Sequence, residues 1–559
     1  MQKTCVNGWC KAPFEVTDED LAFYDKVSPE FGGKKYAIPP PTLCPDCRQQ
    51  RRMGFRNQIH VYIRPSATTE KPIFSMFDKQ SCVRPVADEE WWGDAWDPCS
   101  FGKPFDENTS FFKQFHALQC AVPHFARSVK NMQNSDYSNN GYYIKNCYFV
   151  FHSFEAEDSM YCEKANQSRD CLDCSYAIRC ELCYDCTWCS GSYRLQSSVF
   201  CDNCSDSFFL KHCSSCRNCF GCVNLKHAQY CIFNEQKTRE EYETFIASLS
   251  LSSYHERTTW KERAEEIFRQ FPVPHVIALQ TENVTGNCIQ QSRDVHDCFF
   301  ILQGEGLRRC FSVNRSKDCQ DVTTYGENCE LFYESTVCGE NSQRLSFCYE
   351  CFDSSINLLY CHLCIGCTDC FGCVGLRKKK YCVLNVQYTK EEYEKLVPVI
   401  IARMRKDAEW GEFFPRECSP TAYNHSVAQR YHPLKKETAE AMGYRWIEES
   451  IPEASNAIEA SELPDGLPAS ENPIIVKSAT SNKPFKITTE EIKRYKNFNV
   501  PLPRETYDER MEARAAHMGG ITLFDRPCAK TGKQIRTTIP ATSPFIVWDR
   551  EEWEKEFGS

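Results

Sequence analysis

The stretch CSSCRNCFGC runs from Cys213 to Cys222, and 151 residues later the chain reads CIGCTDCFGC, Cys364 to Cys373. A third run, CELCYDCTWC, spans Cys180 to Cys189. Cysteine stands at every third position in all three: Cys180, Cys183, Cys186 and Cys189; Cys213, Cys216, Cys219 and Cys222; Cys364, Cys367, Cys370 and Cys373. Working outward, CRNCFGCVNLKHAQYCIFNEQKTREEYETFI from Cys216 matches CTDCFGCVGLRKKKYCVLNVQYTKEEYEKLV from Cys367 at 16 of 31 positions without a gap. The same offset aligns VPH at Val122 with VPH at Val273, and IKNCYFV at Ile144 with VHDCFFI at Val295. A Cys-rich module is therefore present twice.

Within the first copy, Cys162, Cys171, Cys180 and Cys189, then Cys204, Cys213, Cys222 and Cys231, step by nine. In the second, Cys288, Cys298, Cys310, Cys319, Cys329, Cys338 and Cys348 step by nine to twelve. Small polar residues precede many of them, as in KNCYF, RDCLDC and ENCEL, and apolar ones often follow. A short strand and turn with a compact inward residue, repeated at this interval, predicts a β-solenoid. Two nine-residue units would give a coil of about 18 to 20 residues and roughly six coils per module.

Buried free cysteine behaves as a small hydrophobe and suits a narrow interior. The alternatives are zinc held by C-x2-C pairs, an iron–sulfur cluster, or disulfides. The three runs depart from the bacterial ferredoxin pattern in their last gap and in lacking its proline, since Ser190, Val223 and Val374 follow; this disfavours a cluster.

A second duplication links the ends. PFEVTDEDLAFY from Pro13 reads like PFKITTEEIKRY from Pro484, and at an offset of 462 PPPTLCPDCRQQRR from Pro39 faces PLPRETYDERMEAR from Pro501. RPSATTEKPI from Arg64 faces RPCAKTGKQI from Arg526, and Trp91 faces Trp553, which suggests core packing for that tryptophan. In the N-terminal copy Cys5, Cys10, Cys44 and Cys47 form two pairs, with Gly8 and Pro45 suited to the tight turns of a zinc ribbon. Four thiolates leave no open position for water, so this zinc would be structural. In the C-terminal copy Thr506 and Glu509 replace Cys44 and Cys47, and Ser481 aligns with Cys10. That copy is expected to rely on packing. After the knuckle, RQQRRMGFR places Arg48, Arg51, Arg52 and Arg56 on nine residues, with Arg48, Arg52 and Arg56 on one helical face. Two expectations follow: a nucleic-acid or partner-binding surface, or a face paired with acids elsewhere.

The expected fold is mainly β with helical segments. Its plan is a zinc-ribbon module (1–98), a connector (99–121), a Cys-rich solenoid (122–235) and a helical segment (236–272). A duplicate solenoid (273–386), a second helical segment (387–447), an extended linker (448–483) and a degenerate ribbon-like module (484–559) follow. TREEYETFI and TKEEYEKLV open the helical segments with Thr as N-cap and Glu three positions on. The linker is rich in Pro, Ser, Ala and Glu, which predicts an extended or mobile segment.

Taken together, PPPTLCPDCRQQRR, CFGCVNL, QYCIFN with EEYE, and ECSPTAYNHSVAQRYHPL (Glu417 to Leu434) make the chain resemble an uncharacterised family of large zinc-ribbon, Cys-rich repeat proteins predicted from genomes of uncultivated bacterial lineages. The resemblance spans most of the chain. It implies a domain plan and no known activity. It also implies a cysteine knuckle in the C-terminal module, from which this sequence departs.

At 559 residues with 42% hydrophobic and 25% charged residues, the chain reads as globular with several domains. A formal charge of −10 argues against a wholesale nucleic-acid coat. The N-terminus MQKTCVNGWC has no apolar core of a signal peptide and no span is long enough for a membrane, so a cytoplasmic setting is expected, with the 38 cysteines mostly thiols or metal ligands. No nucleophile elbow, phosphate loop, HExxH or supported carboxylate pair is found, and no catalytic residue is assigned. The leading expectation is a non-enzymatic zinc-binding scaffold for a macromolecular partner, protein favoured over RNA, with self-association open. The alternative is a redox or metal-handling protein using the triplet cysteines.

Overall fold

A computed structural model describes residues 1–312, 333–339, 341–449 and 454–558, with backbone alone at 314–317 and 329–330. Cys319 lies outside the described residues, as does the side chain of Cys329. Among the described residues the fold is mainly β, with about 20 turns of β-solenoid winding.

The coil is shorter than the cysteine spacing predicts. In the first solenoid strands pair in parallel with a register of twelve: Tyr148 with Met160, Ser175 with Thr187, Tyr193 with Ser205. In the second the register runs from eleven (Ala278 with Ile289) to thirteen (Gln343 with Ile356). One coil is thus four triplets. The nine-residue step is three of them, so it carries a cysteine to the neighbouring wall of the next coil and is no half-coil.

Each triplet has three roles. In Asn146-Cys147-Tyr148, Asn146 is left-handed (φ 53°), Cys147 is buried, and Tyr148 enters a strand. The left-handed state then returns at Phe149, His152, Glu155 and Asp158, with φ between 49° and 57°. Such φ values disfavour β-branched residues and suit Asn and Asp, and among the described positive-φ residues from 131 to 234 none is Val, Ile or Thr. This explains the Asn or Asp that precedes so many inward cysteines.

The strand residue and the left-handed residue use their N–H groups in the ladder between coils: Met160 N–H donates to the Cys171 carbonyl and Asp158 N–H to the Lys145 carbonyl. The inward N–H is satisfied differently. Ser168 Oγ donates to the Asn166 carbonyl (3.0 Å) and accepts from Cys180 N–H twelve residues on (3.1 Å). Ser135, Ser159, Ser192 and Ser207 accept from the N–H twelve residues on in the same way. Thiols take the same place: Cys298 Sγ accepts from Cys310 N–H at 3.1 Å. Inward positions thus take Ser and Cys, which can accept this N–H, alongside apolar residues such as Ala165, Ala177 and Leu195, which cannot.

The described residues group into two compact units, each made of two stretches of chain. One comprises 1–127 with 276–447, and the other 128–275 with 448–559. The N-terminal module thus folds with the second solenoid and the C-terminal module with the first. Each solenoid runs into a helix that opens with a capping box, Thr238 with Glu241 and Thr389 with Glu392, as expected from TREE and TKEE. Trp91 and Trp553 each donate their indole N–H to a proline carbonyl, that of Pro123 and of Pro272 respectively, at 3.1 Å. Residues expected as an extended linker are packed: Ile458–Glu459 and Ile474–Lys477 join Pro484–Ile487 in a three-stranded sheet, with Ala460, Leu463 and Val476 buried. Composition hid them because the apolar residues that bury are widely spaced. Among the described residues no helix is long and apolar enough to cross a membrane.

Candidate metal centre

The hairpin Gln2–Thr4 with Pro13–Glu15 presents Cys5 and Cys10 from its loop. The helix Pro45–Met53 presents Cys44 as its N-cap and Cys47 in its first turn, with Pro45 at the first helical position. The four Sγ atoms lie within 4.8 Å of one another, and Cys10 and Cys44 are 3.7 Å apart. Thiolates bound tetrahedrally at about 2.3 Å would stand about 3.8 Å apart, so the donor set fits a single ion. Asn7 Nδ2 donates to Cys47 Sγ at 3.2 Å, a bond that would stabilise a coordinated thiolate from outside the ligand shell. The hydrogen bond with Cys47, and then burial, push the Cys44 thiol well above the usual thiol range; burial raises Cys10 as well. Metal uptake at this site therefore releases protons.

The knuckle backbone recurs three times with other side chains. Cys5 N–H donates to the Ala12 carbonyl and Val6 N–H to Thr42; the matching bonds are Ser478 to Lys483 with Ala479 to Arg504, Ser66 to Lys71 with Ala67 to Pro85, and Cys528 to Lys533 with Ala529 to Val547. A left-handed residue sits in each turn: Lys11, Asn482, Glu70 and Gly532, at φ 54°, 58°, 59° and 75°. In the C-terminal copy a carboxylate occupies the centre. Glu509 accepts from Ser478 Oγ (2.6 Å), Thr506 Oγ (2.8 Å) and Thr506 N–H (2.7 Å). Burial alone would raise the Glu509 carboxyl, but these bonds and one from Ser481 outweigh it and hold it below the usual carboxylate range. Glu90 plays the same part for Ser66 (2.7 Å), Thr68 (2.8 Å) and Ala87 N–H (3.1 Å).

The arginines are not a phosphate surface. Arg48, Arg51, Arg52 and Arg56 are buried, at 2%, 8%, 1% and 4% exposure. Arg51 pairs with Glu334 (2.9 Å) and Glu412 (3.2 Å), and Arg48 Nε lies 3.6 Å from Glu334. Glu334 is fully buried on the second solenoid, where burial raises its carboxyl against the pull of these guanidinium groups. The expectation of an exposed nucleic-acid or partner-binding face is thereby corrected: the helix face is turned onto the solenoid wall. The other unit repeats the device. Arg510 and Arg514, which the offset of 462 aligns with Arg48 and Arg52, hold Asp173 of the first solenoid at 3.0 and 3.1 Å, and Tyr495 donates to it at 2.7 Å.

The triplet cysteines form a lining. Cys180, Cys183, Cys186, Cys189, Cys213, Cys216, Cys219, Cys222, Cys364, Cys367, Cys370 and Cys373 are all buried, and each donates to carbonyls of its own and a neighbouring coil or, at Cys373, to its own. Among the described residues, ligand atoms of three or more cysteines, histidines or acids converge only at the N-terminal knuckle and at Cys82, His116 and Cys120. The further metal expected at the runs finds no such convergence there among the described residues, where the cysteines follow the coils along the lining. Burial pushes Cys147, in the same lining, up to about 12, so that thiol stays protonated.

No family model matches the chain, and no curated protein does. Among solved structures, a "putative acetyltransferase from Desulfovibrio desulfuricans G20" is similar at 9% identity over 46% of this chain and 68% of its own, with a TM-score of 0.10. A likeness of that size carries no argument about fold or activity.

Proposed function

We propose that the chain is a non-enzymatic scaffold, stabilised by one structural zinc ion at Cys5, Cys10, Cys44 and Cys47, that offers rigid solenoid walls to a protein partner in the cytoplasm. Zinc is the ion that four thiolates in tetrahedral arrangement suit best. The observation that carries the scaffold reading is the contrast between a lined, thiol-packed interior and an exterior of regular side-chain ladders. Glu157 stands between Lys145 (2.5 Å) and Arg169 (2.8 Å), one coil away on either side. Lys164 lies 4.2 Å over Tyr176, which stacks on Trp188 at 5.3 Å. Aromatic rings and charges held at one-coil intervals cost a partner little ordering entropy. A protein is favoured over RNA by the net charge and by the burial of the knuckle arginines. The redox or metal-handling alternative draws no support from thiols spread along a lining.

The test places a photo-crosslinking amino acid at Trp188 in the intact chain, in its host cells. A discrete crosslinked protein is expected, lost when Tyr176 is changed to Glu. Crosslinking to RNA, or to nothing above the background of a buried position, overturns the reading.

A further inference from the structure

We propose that Cys82, His116 and Cys120 form a second metal site with an open coordination position, which oxidation closes as a disulfide. The helix Phe111–Ala121 carries His116 and Cys120 four residues apart, hence on one face. Cys82 comes from the turn before the strand Arg84–Val86. The three ligand atoms lie within 4.8 Å of one another, with His116 Nε2 at 3.7 Å from Cys120 Sγ. In the structure Cys82 and Cys120 are joined as a disulfide. Reduced, the same three side chains make two thiolates and an imidazole, a donor set for zinc and similar thiophilic ions. Cys82 is exposed and, among the described residues, no fourth side-chain ligand joins the three, so the set leaves a coordination position open, unlike the four-cysteine knuckle.

The support behind the imidazole is the independent observation. His116 Nδ1 lies 3.3 Å from Gln119 Oε1, and Gln119 Nε2 lies 3.3 Å from His362 Nδ1. His362 is 1% exposed, and its Nε2 faces Glu350 Oε2 at 3.5 Å. Burial keeps His362 neutral, so with its Nε2 proton toward Glu350 its Nδ1 accepts from the Gln119 amide. That orientation leaves Gln119 Oε1 to accept from His116 Nδ1–H. The lone pair of His116 is then on Nε2, the nitrogen beside Cys120. This is the outer-shell pattern that orients a ligating histidine.

The oxidant is hydrogen peroxide. The two thiolates release two electrons as the S–S bond forms; the O–O bond accepts them and, with two protons, leaves as two waters. The ion, left with a single imidazole, dissociates. A dithiol reverses the step by thiol–disulfide exchange.

The experiment titrates cobalt(II), then zinc, into the full-length chain, reduced and anaerobic. The reduced wild type is expected to bind about two equivalents and the peroxide-treated chain about one. Cys82→Ser, at an exposed position, should bind about one equivalent in either state, with an unchanged circular dichroism spectrum. The double variant Cys44→Ser, Cys47→Ser should lose the knuckle ion yet still bind about one equivalent and release it on peroxide addition, which separates this site from the ribbon. Equal uptake by reduced wild type and Cys82→Ser, or equal peroxide-driven release from both, overturns the proposal.

Discussion

The N-terminal knuckle and its C-terminal copy share a backbone and differ at its centre. Cys5, Cys10, Cys44 and Cys47 converge where Ser478, Ser481, Thr506 and Glu509 converge in the other copy. The comparison teaches that the hairpin and helix N-terminus specify a pocket for something that binds several donors at once. Four thiols there fit a cation; in the other copy a carboxylate gathers hydroxyls and an N–H. The two solutions differ in strength. Each hydrogen bond to a charged acceptor contributes roughly 1.5–3 kcal/mol, while a structural zinc site in a small domain contributes about 10–16 kcal/mol of binding at neutral pH.

The largest effect expected is therefore from metal removal. Chelation, or Cys44→Ser, should abolish hydrogen-exchange protection in the hairpin Gln2–Thr4 with Pro13–Glu15 and leave the hairpin Ile474–Lys477 with Pro484–Ile487 protected. Equal loss in both hairpins would mean that the copies depend on the same packing. The comparison sharpens in the other direction when Ser478, Ser481, Thr506 and Glu509 are all changed to Cys: metal analysis should then find about one more zinc per chain.

The next effect concerns how each knuckle helix meets its solenoid. Asp173 accepts from Arg510, Arg514 and Tyr495, while Glu334 faces Arg48 and Arg51. Removing one partner of a buried ion pair leaves an uncompensated charge and costs about 3–5 kcal/mol. Asp173→Asn should lower the denaturant midpoint of the unit holding the first solenoid, and Glu334→Gln that of the unit holding the second. A single transition that shifts equally for both variants would show that the units unfold together.

Below this lies a pH effect confined to one unit. Burial raises the Glu350 carboxyl to about 7, against the pull of His124 and Arg56. The folded state thus holds that proton more tightly than the unfolded state. The stability it contributes is present below the unfolded value near 4.5 and is lost as pH rises through about 7, by up to ~3 kcal/mol. Glu350→Gln should be the more stable variant above pH 7 and show a flatter profile between 5 and 8; an unchanged profile would show Glu350 ionised in the fold.

Much of this was legible in the chain. Both duplications, the four knuckle cysteines and the two capping boxes are local patterns. The coil length was not, because cysteine fills only some inward positions: Ser168 and Ala177 hold the same place as Cys171 and Cys174, so counting cysteines alone gives nine where the frame is three. The arginines misled for a different reason. A helical charge stripe looks the same whether it meets water or a buried acid, and Glu334 is 283 residues from Arg51. Asn7, Glu334 and Asp173 carry no motif at all.

The smallest effect separates size from hydrogen bonding in the solenoid lining. Ser168 joins two coils by donating to the Asn166 carbonyl and accepting from Cys180 N–H. Ser168→Ala keeps the residue compact and strands that N–H in the interior, at about 1–3 kcal/mol. Ser168→Cys restores an acceptor, as Cys222 supplies for Asn234 N–H at 3.4 Å, and should stay within about 0.5 kcal/mol of wild type, as a substitution that breaks no named interaction does. Thermal and denaturant unfolding of the two variants decide the matter. If alanine and cysteine are equally tolerated, inward residues answer to volume alone, and the alternation of Ser and Cys along the coils carries no hydrogen-bonding role. If only cysteine is tolerated, the 38 cysteines are best understood in large part as the compact hydrogen-bonding residues from which a twelve-residue coil can be closed.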